Sequence, residues 1–421
     1  MAVRFLLAVL VLAGLPAIAE VDDRHVFEGA LDVSAIDVSS PFTTWLDHGE
    51  GKLRFDESDT TLQFSRAFLE YRGRLTSTVV AHGVLNIEDT KDKVLDLTEA
   101  YLEWRPVPRT PWRVRSRLGA FYPRLSLENV DAGWSSPYAL SSSAINTWIG
   151  EELRTFGAEM RFSRSLPQLP LTPELAFEGA MFYFNDPTGE LLHRRGWAIH
   201  DRQSGITSEL PLPQVAAIAP WDTVADYSAG FEPFKEIDHR PGYYTGAEVR
   251  LADSFRMKYF HYDNHGNPDA ESGGDYAWHT RFNHVGMQFT LPGDVGVIGQ
   301  WMDGITRMGP DLGPWRVWDS HFDARYLLLT RAFGRHRLSA RYDNFDVQPN
   351  ADPEQYTNRD HGYAWTAGYL FDWSKHLRLG VEYLTIATDH CENGQCEWVA
   401  EYGLPRTSRQ NQLQLSLRWQ L

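Results

Sequence analysis

The sequence predicts an all-β fold: a 16-stranded antiparallel transmembrane β-barrel with short periplasmic turns and long extracellular loops. Three observations predict it. The chain ends in strict alternation, Leu413, Leu415, Leu417, Trp419 and Leu421 against Gln414, Ser416, Arg418 and Gln420, the period of two of a strand with one apolar and one polar face. Segments with that period recur along the whole chain. The connections between them alternate long and short, which sorts all long loops to one end of a closed sheet.

Taken in order, the chain opens on an export signal over 1–19. Arg4 supplies the positive region, Phe5 to Leu15 the apolar stretch, and Ala17-Ile18-Ala19 a small-residue cleavage site. The apolar stretch is shorter than the roughly 20 residues of a spanning helix, and acidic sequence follows at Glu20. Residues 20–421 carry no Pro/Ser linker and no shift of composition, so they read as one barrel domain. The 15 Trp, 18 Tyr and 22 Phe suit aromatic girdles at two lipid interfaces. A net charge of -16 argues against nucleic acid as a partner.

Strands are read at 26–36, 61–75, 77–88, 96–106, 112–122, 154–164, 173–185, 242–252, 255–264, 276–291, 295–303, 321–332, 336–346, 361–373, 376–388 and 409–421. The long connections are 37–60, 89–95, 123–153, 186–241, 265–275, 304–320, 347–360 and 389–408. With an even count, both termini fall on the short-turn, periplasmic side. In 112–122, Trp112, Val114, Leu118, Ala120 and Tyr122 alternate with Arg113, Arg115, Arg117 and Gly119. An arginine costs about 2–4 kcal/mol at the lipid midplane, so these three face inward. Sixteen strands enclose an open aqueous lumen.

Function is expected on the lumen wall and in the loop over 123–153. Arg72, Arg74, Arg113, Arg115 and Arg117 fall on inward positions of neighbouring strands, with Glu99 and Glu103 among them. Charged rings of this kind select permeants by sign; the alternative is a generic hydrated wall whose charges pair without selectivity. The loop 123–153 is long and rich in apolar residues, so folding inward to constrict the pore is its expected course, with an outward lid packed on neighbouring loops as the alternative. The resulting eyelet would set Arg113, Arg115, Arg117 and Arg124 against Glu128 and Asp131. For 186–241, covering the mouth, lining the vestibule and mediating subunit contacts all stay open.

The segment Gly119-Ala120-Phe121-Tyr122-Pro123-Arg124-Leu125-Ser126-Leu127-Glu128 resembles the strand-to-loop segment of the phosphate-selective porin O/P group of Gram-negative outer membranes. The resemblance implies a porin in the cell outer membrane, a water-filled channel for passive diffusion of small hydrophilic solutes or ions. A homotrimer is implied by resemblance to general porins. Its partners would be outer-membrane lipid, lipopolysaccharide, the barrel-assembly machinery and small permeants. No lysine-rich lumen is evident, so phosphate selectivity does not carry over, and Leu421 stands where porins usually end in Phe.

Cys391 and Cys396, with four residues between them around Asn393-Gly394, suit a disulfide-closed loop in an oxidising compartment. A metal pair with His390 is the alternative, incomplete with two thiols and one histidine. The acidic stretch Asp47, Glu50, Asp56, Glu57 and Asp59 allows calcium or a solvated loop, and lacks the EF-hand spacing. No motif implies a cofactor. The histidines are scattered, with no His-Glu-x-x-His and no Gly-x-Ser-x-Gly in the sequence, so the expectation is a channel and not an enzyme. The alternative is a barrel enzyme or adhesin with a plugged lumen.

Overall fold

A computed structural model describes residues 24–88, 94–213, 230–252, 254–311, 313, 316–349, 359–389 and 405–421. The export signal over 1–19 and the Cys391–Cys396 pair lie outside these residues. Sixteen strands close into one antiparallel barrel. They are β1 (His25–Ser39), β2 (Leu62–Arg74), β3 (Val79–Glu88), β4 (Leu95–Trp104), β5 (Trp112–Phe121), β6 (Thr155–Ser165), β7 (Glu174–Tyr183) and β8 (Gly242–Leu251). There follow β9 (Phe255–Asp263), β10 (His279–Leu291), β11 (Val295–Asp311), β12 (Arg316–Phe333), β13 (His336–Pro349), β14 (Asp360–Ser374), β15 (Leu377–Asp389) and β16 (Thr407–Gln420). Each pairs with its sequence neighbours, and β16 closes on β1.

The closing seam shows why the alternation matters. Leu31 pairs with Trp419, Val33 with Leu417 and Ala35 with Leu415 on the outer face. On the inner face Asp32 opposes Arg418, joined by a 2.7 Å ion pair. A slip of one residue would place that pair in lipid and the leucines in the lumen. The apolar exterior continues around the wall in Leu102, Leu118, Met160, Met181, Leu327 and Leu329, all exposed, with Trp104, Tyr183, Tyr259, Trp301, Trp365 and Trp373 among them. Leu118, outward on β5 and 62% exposed, gives a direct check. Leu118→Arg should destabilise the barrel by about 2–4 kcal/mol in denaturant unfolding from vesicles; an unchanged midpoint would remove β5 from the lipid.

The short connections are tight. Gly334, at φ +60°, turns the hairpin in which Phe333 pairs with His336, a conformation that glycine adopts without strain. One expected long loop, 304–320, is instead mostly strand. β11 and β12 run on to Asp311 and Arg316, pinned by the Arg307–Asp319 ion pair at 3.0 Å. Their extensions turn polar on the outer face at Asp303, His321, Asp323 and Asp319, as suits wall that stands clear of lipid.

The lumen departs from expectation. Three connections, 40–61, 122–154 and the first part of 184–241, fold into it; the last two are largely buried, and of the first the stretch 51–54 is. The core of the molecule lies inside the barrel: Leu125, Leu127, Ile145, Trp148, Ile149, Trp197 and Ile199 from the connections meet Phe260, Phe282, Ile298, Met302, Phe322, Leu328 and Phe345 from the wall. Over this part the barrel encloses a packed plug, because the inward side chains of β9–β15 are apolar there and bury against a matching surface.

Candidate functional site: a cation-lined vestibule beneath an internal plug

The plug is organised by helix α1 (Ala144–Glu152), all nine residues of which are buried. Ser143 caps it, its side chain accepting from the Asn146 N–H, which satisfies one of the helix's free donors. Trp148 packs edge-on to Phe282 and Trp197 at 5.5 and 5.9 Å between ring centroids, a favoured aromatic geometry. A second short helix, α2 (Glu190–Arg194), lies beside it.

Polar anchors join the plug to the wall. Arg341 of β13 reaches Glu128 at 2.6 Å and Asp343 at 2.8 Å, and donates to the carbonyls of Ser141 and Ser142. The Asp343 carboxylate accepts from Ala144 N, and Glu382 of β15 accepts from Leu140 N at 2.7 Å and Ser141 N at 3.0 Å. Gln300 of β11 accepts from Leu127 N at 3.0 Å. On the far side Lys52 meets Asp360 of β14 at 2.5 Å. Buried charges are tolerated only when paired in this way.

Within the plug, Glu151 and Glu152 differ sharply. Burial opposes the charge on Glu151, but Arg195 and His200 overcome it and bring its carboxyl down to about 2. Arg195 donates to it twice, at 2.9 and 2.6 Å. Glu152 accepts from the N–H groups of Leu191 at 3.0 Å and Gly189 at 3.3 Å and from the Trp148 indole. Burial nonetheless pushes it up to about 8, helped by the nearby charges of Glu190 and Glu151.

Beneath the plug, on the short-turn side of β3–β9, lies a cavity of about 550 Å³. Seven arginines and a lysine line it: Arg113, Arg115 and Arg117 on β5, Arg124 after it, Arg161 on β6, Arg250 on β8, and Arg256 and Lys258 on β9. Fewer acids join them, namely Glu70, Glu99, Asp131, Glu174 and Glu248. Its inner end is closed by a tight network. Arg117 holds Glu159 at 2.8 and 2.6 Å, Arg124 meets the same carboxylate at 3.1 Å, and the Tyr244 hydroxyl donates to it at 2.6 Å. Glu248 is shared by Arg161 at 2.8 Å, Arg256 at 2.7 Å and Arg250 at 3.2 Å. Arg113 and Arg115 form no ion pair with any described residue. Gly119 sits where β5 presses on β4; a Cβ there would stand 2.3 Å from the Ala100 carbonyl oxygen, at φ +134°.

Of the residues expected to constrict a pore, Glu99, Arg113, Arg115, Arg117, Arg124 and Asp131 meet around this cavity. Asp131 also caps a turn by accepting from Ala132 N at 3.1 Å. The others lie elsewhere. Arg72 pairs with Glu28 and Glu70, and Glu103 is held by Arg105 at 2.5 Å. Arg74 is exposed at the end of β2. Glu128 does not oppose the arginine strand: it is fully buried against Arg341 across the lumen, because its loop crosses the barrel and packs on the opposite wall. Sequence reasoning missed Glu159, Arg161, Glu248, Arg256 and Lys258, although Glu159/Arg161 and Arg256/Lys258 each stand two apart on a strand and so share its inner face. The acidic residues near the first connection serve as caps: Asp56 accepts from Ser58 N at 2.8 Å, and Asp59 from Asp56 N at 3.2 Å.

No family model matches the sequence, and no curated protein matches it, so the resemblance of Gly119–Glu128 to the porin O/P group rests on that segment alone. Solved structures do match over nearly the whole chain. The outer membrane channel DcaP of Acinetobacter baumannii superposes with a TM-score of 0.51 at 10% identity, over 94% of this chain and 97% of that one. The chain has the porin fold. The anion-selective porin of Comamonas acidovorans gives 0.50 at 12% identity, over 94% and 99%. OmpF of Salmonella typhi gives 0.50 at 9%, over 94% and 97%. This fold and the apolar exterior together are those of a barrel that crosses a membrane with its strands.

Proposed function

We propose that the barrel is a porin-like channel, held shut in this conformation by its own plug, that passes small hydrophilic solutes and favours anions when the plug yields. The vestibule carries this reading. Cations outnumber acids around it, and Arg113 and Arg115 stand without an acidic partner among the described residues. A charged cleft with low-dielectric walls concentrates counter-ions, and rings of one sign select permeants. Beside its apolar packing, the plug is tied to the wall by hydrogen bonds and ion pairs, which can exchange for water when it shifts. Lipid and lipopolysaccharide around the wall, insertion by the barrel-assembly machinery, assembly as a homotrimer, and a transport rather than catalytic role belong to the same reading.

The filled lumen favours a second reading, a plugged barrel that displays its outer loops as an adhesin or enzyme. Planar-bilayer recording of the purified chain separates them. The channel reading expects small, intermittent conductance whose reversal potential in a KCl gradient lies toward the anion side. Arg115→Glu should move that potential toward the cation side. Silence of the wild type, and of a variant with the plug loosened, would leave the second reading standing.

A further inference from the structure

The long connection between β7 and β8 leaves and rejoins the wall at neighbouring points of the extracellular rim. Asp186 lies just past β7, and Glu236 and Asp238 just before β8. One carboxylate oxygen from each of the three lies within 4.8 Å of the others. Three like charges at that spacing repel strongly, and among the described residues no lysine or arginine forms an ion pair with any of them. Lys235, adjacent in sequence, is taken by Asp275 at 2.5 Å.

The hydrogen bonds around the cluster leave one oxygen conspicuous. Asp186 accepts from Ile237 N at 2.5 Å and Asp238 N at 3.1 Å, and Asp238 accepts from Arg240 N at 2.8 Å and from Asn267 N. Glu236 accepts from Phe184 N at 2.8 Å through Oε2. Its Oε1 is buried and has no hydrogen-bond partner, on a side chain that is 10% exposed. The His239 ring nitrogen stands 4.0 Å from it, beyond hydrogen-bond reach, on a side chain 86% exposed. A carboxylate oxygen stripped of water and given no donor is costly, and such groups call for a missing partner.

We propose that Asp186, Glu236 and Asp238 form a divalent-cation site, suited to Ca²⁺, that clips together the two ends of the long connection. All the donors are hard oxygens, which excludes a preference for soft metals. Carboxylates from two separate segments give an irregular shell, which Ca²⁺ accepts with six to eight ligands and Mg²⁺, bound to strict octahedral geometry, does not. Water and backbone carbonyls would complete the shell. Through Asn267 the clip also reaches the connection after β9.

The site is independent of whether the barrel conducts, and its test is a binding measurement. Isothermal titration of the purified full chain with CaCl₂ should show one saturable site per chain, with a dissociation constant of roughly 10⁻⁴ to 10⁻³ M and weaker binding of MgCl₂. Glu236→Gln and Asp238→Asn should each weaken Ca²⁺ by about tenfold or more, roughly 1.4 kcal/mol per tenfold. Asp269→Asn, an acid engaged by Arg316, should leave it unchanged. Folding of each variant is verified by heat-modifiable mobility. The proposal falls if the folded wild type shows no saturable Ca²⁺ binding up to about 10 mM, well above the expected range. It falls equally if both folded variants bind as the wild type does.

Discussion

Arg341→Ala is expected to release the plug while leaving the barrel wall intact. The Arg341 guanidinium is fully buried and holds Glu128, Asp343 and two loop carbonyls at once. Its removal strands two buried carboxylates, and breaking such a set costs about 3–5 kcal/mol. The strand ladder does not depend on it, so heat-modifiable mobility should persist. Bilayer conductance should rise severalfold, and the connection 122–154 should become sensitive to added protease. A variant that replaces the whole set, Arg341→Met with Glu128→Gln and Asp343→Asn, should recover most of the closure, because paired charges exchanged together for neutral groups cost little. A closed, protease-resistant Arg341→Ala barrel would mean that the apolar packing around Trp148 alone holds the plug.

The second large effect is a dependence on pH. Glu152 links α1 to the N–H groups at the start of α2, and its carboxyl is raised from 4.5 to about 8 by burial. A carboxyl raised in the folded state favours folding fully below its unfolded value and loses that contribution as pH rises through the folded one. The contribution of Glu152 is therefore complete at pH 4.5 and below and is lost toward pH 8 and above. The whole span is worth on the order of a few kcal/mol. Glu151, held down to about 2 by Arg195 and His200 despite burial, titrates outside that window. Open probability recorded from pH 5 to pH 9 should climb in the wild type and climb less steeply in Glu152→Gln, whose neutral side chain imitates the protonated form; the slope that persists belongs to groups such as Glu50, which burial raises to about 7. A wild-type profile with no slope between these limits would remove Glu152 from the latch.

The wall was legible and its contents were not, for one physical reason. Period two reports which side chains share a face, and every barrel strand was placed on that basis, from His25–Ser39 to Thr407–Gln420. It does not report whether the inner face meets water or protein. The signal was nonetheless present in Tyr326-Leu327-Leu328-Leu329 and in Val297-Ile298, where inner and outer positions are both apolar. Strands apolar on both faces are buried on both faces. The charged half of the lumen read correctly as inward because lipid excludes arginine. The partner of Glu128 was not legible, since a loop's crossing of the lumen leaves no periodic trace. The extra length of β11 and β12 was hidden by Gly309-Pro310, residues that ordinarily end a strand.

The anchors of the plug also order events in time. Glu128 meets a residue 213 positions later, Lys52 one 308 later, and the Lys52 backbone N–H bonds to Gln410, 358 positions on. These contacts need β13, β14 and β16 in place, and closing such long loops before the wall forms would carry an entropic cost. The early connections must therefore wait, solvated or chaperoned, while the sheet closes at Asp32 and Arg418. Only then can they sink into a barrel that has become a mould for them. The wall is thus the mould and the connections its casting, so a lesion confined to the anchoring side chains of β13–β16, with their ladder intact, would surface as an unfilled barrel.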